Sequence, residues 1–432
     1  MDNCVKTIKF WLYLLLVVVF TACKPEIDTP APSRGEADFT KYIAIGNSLT
    51  AGFADGGLYL AGQRVAYPNL IAQQLKAVGG GEFKSPFFTE AQANGSGYLK
   101  LAGFNADGTP ITESVTTNLA YRNQAGTLLT KYTDEVQNLG VPNMSIAFST
   151  LNLMSSTFGN MYFERLVPDA NAGNINYQHF ATTKNHTFFT FWLGNIDALG
   201  WATSGGNADQ DPSRQLTSTD VFTGLLNQFI NALTANNQKG AIATIPDVTA
   251  IPFFNTVTVT AINAGLAANE QLQQLGLTKL YIQPGTGLAR LATNEDLIVL
   301  NFDRSKLGEN GYGVSPLNPL ENRYVLDKEE VTRVQQAIQS YNNAIKQIAI
   351  SKNLALVDAY SILNEIKQGK DFNGIRVSSA FITGNAFSLD GVHLTPLGNA
   401  VMANEFIKAI NQKYNASVPV LSVGNYGGVK FP

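Results

Sequence analysis

Asp390 and His393 stand three residues apart in the segment Ser388-Leu-Asp390-Gly391-Val-His393-Leu-Thr395-Pro396. Around a glycine-containing turn, that spacing lets a carboxylate meet an imidazole side chain to side chain. Histidine suits proton transfer because its pKa lies near neutral pH. A carboxylate partner fixes its tautomer and steadies the imidazolium. A serine hydroxyl needs such a base to become a nucleophile. At the other end of the chain, Ile45-Gly46-Asn47-Ser48-Leu49-Thr50 puts Ser48 just past the apolar run Tyr42-Ile-Ala-Ile45, where a hydroxyl can project into a cleft. Taken singly, the first segment also reads as a capping Asp with a structural His, and the second as an ordinary strand–turn junction. Together they supply a nucleophile, a base and an orienting carboxylate.

The elements that must position these groups read as alternating strands and helices. Strands are expected at Tyr42–Ile45, Met144–Phe148, Thr187–Leu193, Ala241–Ile245, Leu297–Phe302 and Leu354–Val357, and helices at 67–78, 219–235, 259–275, 329–351 and 395–414. Thr395 is the expected N-cap of the last helix, with Pro396 at its first position. A hairpin is expected over 98–112, turning at Asp107-Gly108. The alternation implies an α/β fold, a three-layer α/β/α sandwich with a mostly parallel sheet. In such sheets the ligand site lies beyond the carboxyl ends of the strands. Residues 82–140, 160–186 and 276–328 exceed ordinary connections and read as insertions that shape a site.

Composition narrows the chemistry. The 432 residues carry 15% charged residues, against about a quarter in an average soluble protein. With 30 Lys+Arg against 33 Asp+Glu the net charge is −3, which argues against a nucleic-acid partner. The two cysteines, Cys4 and Cys23, lie at the amino end, so the main body holds no catalytic Cys, Cys-based zinc site or disulfide framework. Of the three histidines, His179 and His186 fall in an irregular polar segment and read as surface or loop residues. No His-Glu-x-x-His or EF-hand spacing occurs. No metal or organic cofactor is implied.

Gly-Asn-Ser-Leu after the first strand and Asp-Gly-Val-His before the last helix resemble the GDSL, or SGNH, hydrolase family. Its members are α/β/α esterases, lipases and carbohydrate deacetylases. Asn47 stands where the family block has Asp. Asn138-Leu-Gly140-Val-Pro-Asn143, Ile245–Phe254 and Ala386–His393 look like a bacterial lipoprotein branch of it. The resemblance spans about 41–415 and implies Ser48 as nucleophile, His393 as base and then acid, and Asp390 as orienting carboxylate. It also implies an oxyanion hole from backbone N–H groups near Ser48 and Asn143 and an Asn side chain. The block that supplies the side chain reads Gly194-Asn195-Ile196-Asp197, which puts Ile196 at the donating position. Either Asn195 supplies the amide after a one-residue shift, or one donor is missing. Ser48 lies outside the Gly-x-Ser-x-Gly pattern of α/β-hydrolases. Asp197 and Asp247 follow expected strands and should face the cleft, in structural or substrate-contacting roles. Trp192 and Trp201 read as core, or as a stacking platform for sugar or acyl groups.

Lys6 and Lys9, the eleven-residue apolar run Phe10–Phe20 and Thr21-Ala22-Cys23 describe a secretory signal that resembles a bacterial lipobox. The run is too short to span a bilayer, which takes about 20 residues. The expectation is a signal peptide over 1–22, lipidation at Cys23 with anchorage to the outer membrane, a tether over 23–40, the hydrolase domain over 41–415 and a tail over 416–432. The substrate expected is an ester: an acylated glycan, a lipid or a small acyl ester. A catalytically weakened surface-binding lipoprotein on the same fold is the alternative, and Ile196 is the feature that favours it.

Overall fold

The computed structural model describes residues 31–432 apart from 107 and 210. The signal segment, Cys23, most of the expected tether and Asp107 therefore lie outside the described residues. From the amino end, the elements that carry the site are strand β1 (Tyr42–Gly46), the one-turn helix α1 (Ser48–Ala51), helix α2 (Tyr67–Leu75), strand β2 (Phe188–Trp192), helix α3 (Ile196–Ala202), helix α4 (Thr219–Leu233), strand β3 (Lys239–Ala243), helix α5 (Lys328–Ser351), strand β4 (Ala355–Val357) and helix α6 (Pro396–Tyr414).

The four strands form one sheet in the order β1-β2-β3-β4, and every neighbouring pair is parallel. Every residue of β1 and β2 is buried. A parallel sheet covered on both faces reads as such continuous apolar runs. Consecutive residues of β2 show the two faces. Phe191 packs edge-on against Phe229 of α4, with ring centroids 5.2 Å apart. Trp192 meets Phe406 of α6 at 5.9 Å. Side chains alternate along a strand, so α4 and α6 lie on opposite faces. Helix α5 packs on α4, and α2 packs on α6. Two further constraints fix the ends of α5 and α6: a capping box joins Asp327 and Glu330, and Thr395 Oγ1 accepts from the Gly398 N–H at 3.0 Å.

Several expected elements came out differently. Met144–Phe148 is a turn. The strand-like pairing falls earlier, where Ala44 N–H bonds Gln137 O at 2.9 Å, and Leu139 and Val141 N–H bond Ala44 O and Gly46 O at 2.8 and 3.0 Å. Pro142 has no N–H and ends that pairing. Leu297–Phe302 contributes only Leu297–Ile298 to a short antiparallel pair with Val325–Leu326, outside the main sheet. The helix expected over 259–275 breaks at Asn269, whose side chain caps a second short helix, Glu270–Gln274. Residues 33–40, expected as tether, are packed instead: Ala37 and Phe39 are buried, and Glu36 N–H bonds Tyr414 O at 2.8 Å. The tail is also seated, with Val418, Leu421 and Val423 buried.

Tyr177 ties the end of β1 to its neighbour. Its buried hydroxyl accepts from Gly46 N–H at 3.1 Å and donates to Leu139 O at 2.7 Å. Burial pushes its pKa well above the ordinary phenol value. Tyr177→Phe keeps the ring and strands these backbone groups, a loss of about 1–3 kcal/mol. Urea unfolding should show that drop in midpoint at constant slope. An unchanged midpoint would mean the strand end is held without the hydroxyl.

Candidate active site

Three strand ends meet where the expected nucleophile lies. Ser48 follows the end of β1 and begins α1. Asn143 lies two residues beyond Val141, which is bonded to Gly46. Asn195 lies three residues beyond Trp192, which is in register with Gly46. The approach is close enough that Gly140 has no room for a side chain: a Cβ there would run into the backbone of Thr50 and Ala51 in α1. Asn47 caps α1, its Oδ1 accepting from Leu49 N–H at 3.3 Å.

Asp390 and His393 meet as their spacing predicts. Gly391 makes the turn at φ +70°, a conformation that favours glycine. His393 Nδ1 lies 2.8 Å from Asp390 Oδ2. Ionised carboxylates only accept, so Nδ1 carries the proton and neutral His393 keeps a lone pair on Nε2. Oδ1 of Asp390 accepts from the N–H groups of Val392 and His393, at 2.9 and 2.8 Å, and from Ser388 Oγ at 3.1 Å. Burial alone would raise the Asp390 carboxyl. The His393 charge and these hydrogen bonds outweigh it and hold the carboxyl well below the usual range.

The two halves of the site meet through residues 53–56. Phe53 N–H bonds Ser48 O at 3.0 Å, and the Phe53 ring lies 4.6 Å from the His393 ring. Gly56 N–H donates to Asp390 Oδ2 at 2.8 Å. Among the described residues the Ser48 hydroxyl makes no hydrogen bond, so the serine and the histidine are neighbours through Phe53 rather than a bonded pair. Catalytic hydrogen bonds often tighten only when substrate binds.

The groups expected to hold an oxyanion differ in state. Among the described residues, the N–H groups of Ser48 and Asn143 have no hydrogen-bond partner. Asn143 takes the left-handed backbone, φ +61°, which Asn tolerates better than most residues. The Asn195 side chain is buried, and neither its Nδ2 nor its Oδ1 has a partner among the described residues. The Nδ2 of Asn47 shares that condition. Buried polar atoms are normally paired, which sets the Asn195 amide apart from most buried side chains.

Asp197 is structural. Its carboxylate accepts from Ile146 N–H at 2.7 Å, Ala147 N–H at 3.1 Å and Thr217 Oγ1 at 2.8 Å. It thereby ties the loop after Asn143 to the first turn of α3. Asp247 caps a 3-10 turn through Thr249 N–H at 2.9 Å. Trp192 and Trp201 are core, Trp192 donating to Thr244 O at 3.1 Å. His179 is exposed. His186, expected at the surface or in a loop, is a buried loop residue between Lys184 O and Leu233 O. Sequence reasoning missed Phe53, Asp55, Gly56 and Tyr177. Asp55-Gly56-Gly57 was a turn signal, but nothing in it pointed across the chain to Asp390.

A model of the family described as GDSL-like lipase/acylhydrolase matches residues 42–406. Among solved structures, the chain is similar to a mutant of Axe2, an acetyl-xylooligosaccharide esterase from Geobacillus Stearmophilus. The identity is 11%, the match covers 87% of this chain and 96% of that one, and the TM-score is 0.37. No curated protein matches the sequence.

Burial pushes the Asp197 carboxyl up to about 6, its hydrogen bonds notwithstanding. Unfolded, the same group titrates near about 3.9. The folded state therefore holds the extra proton between these values, and this group makes the fold less stable as pH rises from about 4 to about 6. Asp390 acts in the opposite sense: its contribution is present above the unfolded value and is lost as pH falls through its folded one. Stability measured against pH for wild type and Asp197→Asn should differ in slope over that interval. Parallel curves would refute the assignment.

Proposed function

The chain belongs to the GDSL-like lipase/acylhydrolase family, and we propose that it is a serine ester hydrolase working through an acyl-enzyme. The hydrogen bond between His393 Nδ1 and Asp390 Oδ2, 2.8 Å, carries the reading because it leaves Nε2 as the base. Ser48 Oγ attacks the ester carbonyl carbon while His393 Nε2 takes its proton. The oxyanion forms against the free N–H groups of Ser48 and Asn143. The orphaned amide of Asn195 is the third donor, in place of the one that Ile196 cannot supply. Collapse of the tetrahedral intermediate expels the alcohol, which receives the proton from the His393 imidazolium. Water, deprotonated by His393, then attacks the acyl-enzyme, and the acid leaves Ser48 as it was. The substrate is an acylated glycan, a lipid or a small acyl ester. Ile196 is the one observation that favours a binding protein on the same fold. We also propose lipidation at Cys23 and an outer-membrane location.

A fluorophosphonate probe should label the soluble domain at Ser48, and Ser48→Ala should abolish labelling. A folded wild type that does not label would favour the binding protein. Asn195→Ala should lower turnover of a labelling-competent enzyme about 10²–10³-fold. Unchanged turnover would remove Asn195 from the oxyanion hole. For the anchor, metabolic incorporation of a labelled fatty acid should be lost in Cys23→Ala; incorporation that persists would refute it.

A further inference from the structure

We propose that Asp55 is a positioning residue, a second carboxylate that holds Asp390 and His393 in register with Ser48. The proposal rests on the hydrolase reading of that site. Asp55 sits in the turn after α1 with a left-handed backbone, φ +53°. Three bonds run from this turn to the segment that carries the pair. Asp55 Oδ1 accepts from Leu389 N–H at 2.9 Å. Asp55 N–H donates to Ser388 Oγ at 2.9 Å, and that hydroxyl donates in turn to Asp390 Oδ1 at 3.1 Å. Gly56 N–H bonds Asp390 Oδ2, the oxygen that also receives the His393 ring proton. The turn is braced from behind. Tyr59 donates its hydroxyl to Asp55 Oδ2 at 2.6 Å, and the Tyr59 ring stacks on Tyr98 at 4.0 Å.

Both oxygens of Asp55 receive donors, which is the pattern of an ionised carboxylate. If the role were only to tie two loops, a neutral side chain would serve better. The Asp55 charge is repelled by Asp390, and burial disfavours it, so its carboxyl is raised above the ordinary value. The group its charge favours is the His393 imidazolium, the species formed whenever Ser48 gives up its proton. The titratable groups facing Asp55 are Tyr59, Asp390 and His393, with Tyr98 behind Tyr59. Neighbouring Leu389 is buried in a small cluster with Leu101 of the 98–115 hairpin and Ile382, so the segment is also held from its far side.

The test compares wild type with Asp55→Asn, Asp55→Ala and Tyr59→Phe, counting active sites with the fluorophosphonate probe. Per labelled site, Asp55→Ala should lose about 10–100-fold in kcat with KM within about twofold, the scale of a small misplacement. Asp55→Asn should move the acid limb of kcat/KM to lower pH, because the imidazolium loses a neighbouring negative charge. Tyr59→Phe keeps the Leu389 bond and should stay within about threefold. If the variants fold less well but turn over at the wild-type rate per labelled site, with an unchanged pH profile, Asp55 only holds loops together and the proposal fails. A readout independent of turnover covers the variant that folds poorly and the wild type that does not label. With three histidines in the chain, 15N spectra of the rings resolve His393, whose wild-type ring should hold its proton on Nδ1. Loss of that tautomer preference in Asp55→Ala supports the proposal, and its retention overturns it. A wild type silent to the probe would sink the hydrolase reading without deciding the role of Asp55, which the spectra still decide.

Discussion

The site depends on the parallel register of β1 between its two neighbours. β1 and β2 are buried on both faces, so a slip of one residue would turn buried side chains to the wrong helix layer. The register that results puts Gly46 level with Trp192 on one side and bonded to Val141 on the other. Three loops consequently leave the sheet at one level, carrying Ser48, Asn143 and Asn195. The Tyr177 hydroxyl and the bare α-carbon of Gly140 then set how closely the first two approach.

Three aspartates, Asp197 buried and Asp55 and Asp390 half-buried, show how withdrawal from water is turned to different ends. Each would be raised by loss of water, and what differs is the donors around it. Asp390 faces an imidazole and has N–H groups on both oxygens, so its charge is favoured over the neutral form. Asp197 receives two backbone N–H groups and a hydroxyl but no cation, and burial wins. Asp55 lies between, with one N–H, one phenol, a repelling Asp390 and an attracting His393. Asp390 alone has an imidazole bonded directly to it, and it also collects the most donors, which separates it from the other two.

Much of this was legible in the sequence because it rests on local pattern. The apolar runs of β1 and β2, the amphipathic spacing of α4 and α5, and the Thr395-Pro396 start of α6 are signals within a few residues. The Asp390–His393 bond also follows from spacing around Gly391. The misreadings have a common cause. Met144–Phe148 looked like a strand by composition, but Asp197, some fifty residues on, claims the N–H groups of Ile146 and Ala147. Residues 33–40 looked like tether because prolines and charges precede them, yet Phe39 packs edge-on against Phe188 at 4.9 Å. His186 looked like a loop residue and is one, but the Leu233 carbonyl that encloses it comes from α4. Each depends on a partner that no local window contains.

The same limit explains why Asp55 escaped notice and what its place implies for the architecture. Ser48 and His393 lie at opposite ends of the chain, and each is fixed by its own element: α1 after β1, and the turn before α6. Two rigid elements aligned by a sheet still leave a gap, because the sheet fixes strand ends and not the loops beyond them. Phe53, Asp55 and Gly56 close it with one ring contact and a run of hydrogen bonds from the Ser48 side to the Asp390 side. A link between residues more than 330 positions apart forms only once both ends are folded. Bringing Ser48, Asp390 and His393 together is therefore tied to completion of the domain, from β1 through α6, rather than to either motif alone.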